Sequence, residues 1–172
     1  MKELKRFYSV LVVAVLFVSC DKTTDFHTIQ GEAQGSTYSI KYISNEEKVT
    51  KNQIDSLLTA FDLSLSTYRP DSKISKINAG DLTVVVDEFF TETFQLSNQI
   101  YKETNGLFDP TIGVLVNAYG FGPNKKQQDL SQKQIDSLLQ FVGFDKIALN
   151  PNKTISKKHQ ETFIDFNEIA KD

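Results

Sequence analysis

The stretch Leu82-Thr83-Val84-Val85-Val86-Asp87, running on from Glu88 to Thr104 and closing on Asn105-Gly106, decides the fold class. Its β-branched run predicts a strand, because branching at Cβ stiffens the side chain and suits a pleated surface. Asp87 then stands as a natural helix N-cap, and Phe90, Phe94, Leu96, Ile100 and Tyr101 lay an apolar stripe at helical spacing along the residues after it. Gly106 suits the left-handed conformation that ends such a helix. Strand and helix follow one another directly, which points to a mixed α+β architecture.

The flanking sequence carries the same alternation. Towards the N-terminus, Ile29, Glu32 to Gln34 and Thr37 to Tyr42 read as two extended runs meeting at Gly31 and Gly35, a hairpin or bulged pair. Thr50 can cap a helix with Ile54, Leu57, Leu58, Phe61 and Leu65 on its apolar face. Pro70 pushes Arg69 out of helical space, so Ser66 to Ser72 is a break, and a short helix from Lys73 to Asn78 is closed by Gly80. Towards the C-terminus, Leu107 to Thr111 holds an aromatic ring and a carboxylate in a turn. Ser131 and Gln134 form a capping box for a helix to about Phe141. Three short strands are expected at Lys146 to Leu149, Thr154 to Ser156 and Thr162 to Phe166, and Asn167 to Lys171 opens a further helix.

The first residues obey different rules. Lys2, Lys5 and Arg6 precede an unbroken apolar run from Val10 to Val18, too short to span a bilayer, and residues 1–19 read as a signal peptide. Cys20, the one cysteine, directly follows Phe17-Val18-Ser19, which resembles a lipobox with Phe17 in place of the usual Leu. Cys20 is therefore the expected lipidation site, and no cysteine is left for a disulfide. The expected organisation is a lipidated Cys with a polar tether over residues 20–27 and one domain over 28–172. The expected location is exported and lipid-anchored, with Asp21 favouring the periplasmic face of the inner membrane.

Composition removes other classes. Nineteen Lys and Arg against twenty-two Asp and Glu give a net charge of −3, and with no basic cluster beyond Lys125-Lys126 and Lys157-Lys158 the footprint of a nucleic-acid binder is missing. The two histidines, His27 and His159, have no metal-ligand spacing. No nucleophile elbow, phosphate-cradling P-loop or dinucleotide fingerprint is present.

Four short segments at the ends of elements remain: Ala33 to Tyr38, Leu65 to Asn78, Thr104 to Gly113 and Ile164 to Lys171. In order and interval they resemble the successive motifs of the ApbE-type FAD:protein FMN transferases, from about residue 30 to the end. That resemblance implies an ApbE-like, T-fold-like α+β domain with a mixed sheet and packed helices. It also implies Mg²⁺-dependent transfer of FMN from FAD to a Thr or Ser hydroxyl of a partner protein, typically a subunit of a membrane redox complex. Some members instead hydrolyse FAD.

The residues themselves allow such chemistry. Tyr68, in a loop after a helix, can stack on a flat heterocycle, and the resemblance places FAD there. Arg69 either meets phosphate or is solvated. Leu107, Phe108 and Asp109 offer backbone groups and a carboxylate to the donor edges of a flavin or adenine, although Asp109-Pro110-Thr111 is also an ordinary Asp-initiated turn. Gln34 stands where the family often has Met, beside a Gly35 that permits close backbone approach. Asn167 lies where strand opens into helix, a place that can meet phosphate or ribose. Glu168 departs from the small residue usual there.

The resemblance makes the Ala170 backbone carbonyl a Mg²⁺ ligand, and the remaining ligands belong to a C-terminal portion beyond Asp172. Mg²⁺ needs near-octahedral oxygen ligation, so the domain is expected to be truncated and this chain alone incomplete. No catalytic residue is assigned. A noncatalytic flavin-binding lipoprotein is the alternative from another class.

Overall fold

The computed structural model describes residues 25–122 and 129–170. The signal peptide, Cys20, Lys125-Lys126, Lys171 and Asp172 lie outside the described residues. The chain divides into two compact units, one ending at Asp55 and one beginning at Ser56.

The first unit is built on an antiparallel hairpin of β1 (Asp25–Ala33) and β2 (Ser36–Ser44), with Asp25 opposite Ser44 and Ala33 opposite Ser36. Gln34 and Gly35 form its two-residue turn with φ of +53° and +72°, the twist a tight hairpin requires. Residues 25–27, expected in the tether, are already strand. His27 stacks on its cross-strand partner Tyr42 at a centroid distance of 4.9 Å and hydrogen-bonds through Nε2 to the Ser44 carbonyl, which accepts at 3.0 Å. Gly31 is needed opposite Tyr38, because a Cβ there would sit 2.5 Å from the tyrosine oxygen. The Tyr38 hydroxyl instead donates to Asp55 Oδ1 at 2.6 Å.

Helix α1 (Lys51–Leu65) starts as expected at Thr50, whose backbone N–H donates to Gln53 Oε1 at 2.8 Å. In the second unit its last turn packs Leu65 and Phe61 into a core with Ile74 and Ile77 of α2 (Lys73–Asn78) and Phe90 and Phe94 of α3 (Glu88–Glu103). Phe144, Ile147, Ile155, Ile164 and Phe166 complete it. Asp87 caps α3 as the sequence requires, accepting from the Phe90 N–H at 3.0 Å and from the Ser64 hydroxyl at 2.6 Å. Then follow α4 (Gly113–Ala118), which the sequence pattern does not reveal, α5 (Gln132–Leu139), the 3₁₀ turn Phe144–Lys146, and the antiparallel pair β3 (Ile147–Leu149) and β4 (Ile155–Lys157). Helix α6 (Asn167–Ala170) is the last described element.

Two predicted strands are absent. Leu82 to Val86 forms a turn and an extended link, because the Asp81 carboxylate folds back to accept from the Thr83 N–H and hydroxyl. A single backbone bond, Val86 N–H to the Lys153 carbonyl at 2.8 Å, replaces a ladder. Thr162 to Phe166 is extended but carries only one isolated parallel bridge, Phe163 to Ile112. The α+β mixture stands, while the expected mixed sheet is present in pieces: two antiparallel pairs and that one parallel bridge among the described residues.

Candidate functional site

The loop after α1 is pinned at both ends. Ser72 is buried; its Oγ donates to the Ser66 carbonyl at 2.7 Å and accepts from the Ser75 N–H at 3.1 Å, so one hydroxyl closes the loop and caps α2. Thr67 is buried, and Tyr68 is left 58% exposed. That combination, a fixed backbone under an exposed ring, is what stacking on a planar ligand needs. Arg69 forks onto Asp71 at 2.8 and 3.1 Å. Its guanidinium thereby holds the Asp71 carboxyl below the usual carboxylate range. The sequence reading of Arg69, phosphate contact or a solvated side chain, did not include this local ion pair.

The turn after α3 is tied by Thr104, whose hydroxyl donates to the Ile100 carbonyl at 2.8 Å and accepts from the Phe108 N–H at 3.1 Å. Asn105 and Gly106 take φ of +52° and +80°, the conformation glycine adopts without steric cost. Leu107 is then 93% exposed, whereas Phe108 and Asp109 are half-buried. Asp109 Oδ1 accepts from the Thr111 N–H at 2.8 Å and hydroxyl at 2.6 Å, and Thr111 Oγ1 in turn accepts from the Gly143 N–H at 2.6 Å. The Asp-initiated turn is therefore real, and it is closed by Oδ1 alone.

The third segment is extended from Thr162 to Phe166. Both Ile164 and Phe166 are fully buried, and the Phe166 ring meets Phe90 edge-on at 5.3 Å. The Asp165 N–H donates to the Pro110 carbonyl at 2.8 Å, joining this segment to the Asp109 turn. Gly113 permits their close approach, since a Cβ there would meet the Phe163 ring at 2.5 Å. Asn78 bonds both backbone groups of Ile164. Asn167 Nδ2 donates to Thr67 Oγ1 at 3.3 Å, next to Tyr68 in sequence. Asp165 Oδ1 accepts from the Asn167 N–H at 2.9 Å, yet burial outweighs that bond and pushes the Asp165 carboxyl above the usual range.

Three of the four segments singled out in the sequence are thus linked within one unit: Tyr68, Leu107 to Asp109, and Asn167 with Ala170. Gln34 lies exposed on the hairpin turn of the other unit. The helix expected from Asn167 amounts to a single turn among the described residues, too short for a macrodipole argument, so Asn167 contributes its side-chain amide. Ala170 closes that turn, its N–H donating to the Phe166 carbonyl at 2.8 Å. Among the described residues no three His, Cys, Asp or Glu side chains form a metal-binding group. Sequence reading did not single out Asn78, Thr111 or Asp165; each lies inside a quoted segment, but only the fold shows what it bonds.

These observations define an α+β module that presents an exposed aromatic ring, a carboxylate turn and an amide on three interlocked segments. The chain belongs to the ApbE family, whose model matches residues 34–172. It is 29% identical to the FAD:protein FMN transferase of Haemophilus influenzae over 183 aligned residues, covering 99% of this chain and 53% of that protein. It is likewise 29% identical to the FAD:protein FMN transferase of Escherichia coli K12, covering 89% of this chain and 46% of that protein. The fold is similar to the flavin transferase ApbE of Vibrio cholerae, with a TM-score of 0.77 at 27% identity over 86% of this chain and 50% of that one. The apo flavinyl transferase ApbE of Pseudomonas stutzeri gives 0.76 at 26%, over 86% and 51%. The chain spans about half the length of the relatives it matches.

Proposed function

We propose that this chain supplies the flavin-holding part of an FAD:protein FMN transferase. The observation that carries this reading is the Tyr68 ring, held out to solvent by a loop whose neighbouring residue Thr67 is hydrogen-bonded to Asn167. The relatives' names supply the substrate class. In the proposed reaction a Thr or Ser hydroxyl of an acceptor protein attacks the FMN-side phosphorus of FAD. The new P–O ester forms as the bond to the bridging oxygen breaks, AMP leaves, and the hydroxyl proton passes to a base. Tyr68 stacks on a ring of FAD, Leu107 to Asp109 border it, with Asp109 Oδ2 accepting from a donor edge, and the Asn167 amide faces phosphate or ribose. Bound Mg²⁺ would neutralise pyrophosphate charge, drawing the Ala170 carbonyl from this chain.

The proposed setting is the cell envelope: export by residues 1–19, acylation at Cys20 and anchoring at the periplasmic face of the inner membrane. The acceptor proposed is a subunit of a membrane redox complex. The test incubates the protein with FAD, Mg²⁺ and such an acceptor, then reads flavin fluorescence on the denatured acceptor band. Covalent fluorescence that disappears when the acceptor Thr or Ser is replaced by Ala supports transfer. FMN and AMP released equally without acceptor would replace it with FAD hydrolysis.

A further inference from the structure

Ile164 is fully buried, and a buried backbone N–H or C=O without a partner is costly. No neighbouring strand pairs with it among the described residues. Instead the Asn78 side chain does so from both sides: Nδ2 donates to the Ile164 carbonyl at 2.8 Å, and Oδ1 accepts from the Ile164 N–H at 2.8 Å. A primary amide on a one-carbon stem presents a donor and an acceptor side by side, as a strand backbone does. Aspartate would lose the donor, and glutamine would move both groups outward by a methylene.

We propose that Asn78 is a positioning residue for the ligand-facing end of this chain: by standing in for a strand beside Ile164 it sets where Asp165, Asn167 and the Ala170 carbonyl sit. The inference rests on the flavin reading above and names a residue that acts through others without touching the ligand.

Both ends of the linkage are rigid. Asn78 ends α2, which is fixed by the fully buried Ile74 and Ile77 and by the Ser72 cap. Helix α2 begins directly after the loop that carries Tyr68. Beyond Ile164 the chain is closed by short-range bonds, the Asn167 N–H to Asp165 Oδ1 and the Ala170 N–H to the Phe166 carbonyl. A shift at Ile164 therefore moves Asn167 and Ala170 together relative to Tyr68. The Thr67 to Asn167 bond, at 3.3 Å, is a longer and weaker second tie between the same two segments.

The test compares the full chain with Asn78→Ala, Asn78→Asp and a core control, Ile155→Ala, which removes apolar contact from β4 in the same core and takes away no backbone partner of Ile164. Two readouts are taken: hydrogen exchange of the Ile164 amide, and FAD affinity with Mg²⁺ by quenching of flavin fluorescence. Asn78→Ala is expected to speed Ile164 exchange and weaken FAD binding by about tenfold each, the scale of leaving buried backbone groups unpaired. Ile155→Ala should leave FAD affinity near wild type in the folded protein. Asn78→Asp, which keeps the acceptor, should protect the Ile164 amide better than Asn78→Ala. If Ile164 exchange in Asn78→Ala merely follows the control, or if it rises while FAD affinity follows the control, Asn78 is a brace for the fold and the proposal is overturned. A wild-type chain that binds no FAD would remove the flavin reading, and the exchange comparison would still decide whether Asn78 holds the segment.

Discussion

The β1–β2 hairpin and the Ile164 to Phe166 segment are both extended, and they are held by opposite means. The hairpin is ordered by its backbone: nine residues pair with nine in continuous register, while only Ile29 and Ser44 among them are buried and Phe26 and Ile43, directly opposed, stay exposed. The Ile164 to Phe166 segment has no ladder, yet two of its three side chains are fully buried and its backbone bonds go to Asn78 and Pro110. A ladder tolerates side-chain change and is sensitive at its turn; a side-chain-braced segment is sensitive to every inward residue. The part linked to the candidate site is of the second kind, which suits a site whose groups must be held to fractions of an ångström.

The largest effect that would separate the two regions is expected at Phe166. Removing its ring from between Phe90 and the core should cost about 3 to 5 kcal/mol in Phe166→Ala, read from denaturant unfolding. A loss below about 1 kcal/mol would mean that the segment is not core-braced. In the hairpin the sensitive point is Gly35, where φ is +72° and a Cβ would meet nothing within 4 Å. Gly35→Ala should therefore destabilise through backbone strain alone, by about 1 kcal/mol, and a neutral result would show that the turn relaxes.

A pH series sharpens the contrast further. Burial raises the Asp165 carboxyl above its ordinary value despite the Asn167 N–H. An acid whose pKa rises on folding contributes stability that is fully present below the unfolded value and is lost as pH climbs through the folded one. The isosteric Asp165→Asn should thus gain on wild type as pH rises from the acidic range towards neutrality, measured by unfolding at stepped pH. A difference independent of pH would show that folding does not raise the carboxyl's pKa. The smallest change is expected for Phe26→Ser, within about 0.5 kcal/mol, because the side chain is 77% exposed.

What the sequence made legible follows the same division. Caps and local turns were readable because their partners lie within three or four residues: Asp87 for α3, Ser131 with Gln134 for α5, and Gly35 for the hairpin turn, whereas Gly31, expected at the same junction, lies inside β1 opposite Tyr38. Leu82 to Val86 and Thr162 to Phe166 were misread as strands, because β-branched and alternating apolar residues report burial in an extended chain and say nothing of what its backbone bonds. Helix α4 was missed because its six residues carry neither a side-chain cap nor a full apolar period. In the candidate site, Tyr68 and the Leu107 to Asp109 turn could be picked out as exposed or turn-forming residue types. The Asn78 to Ile164 pairing joins positions 86 residues apart, and no local pattern encodes such a contact.

The flavin reading is tested most directly by the affinity of the chain for FAD with Mg²⁺ present, measured for wild type, Tyr68→Phe and Tyr68→Ala. Stacking on an aromatic ring is worth about 1 to 3 kcal/mol, so Tyr68→Ala should weaken binding about tenfold or more while Tyr68→Phe keeps it. Equal affinity in all three would contradict the placement of FAD on Tyr68, and with it the site described here.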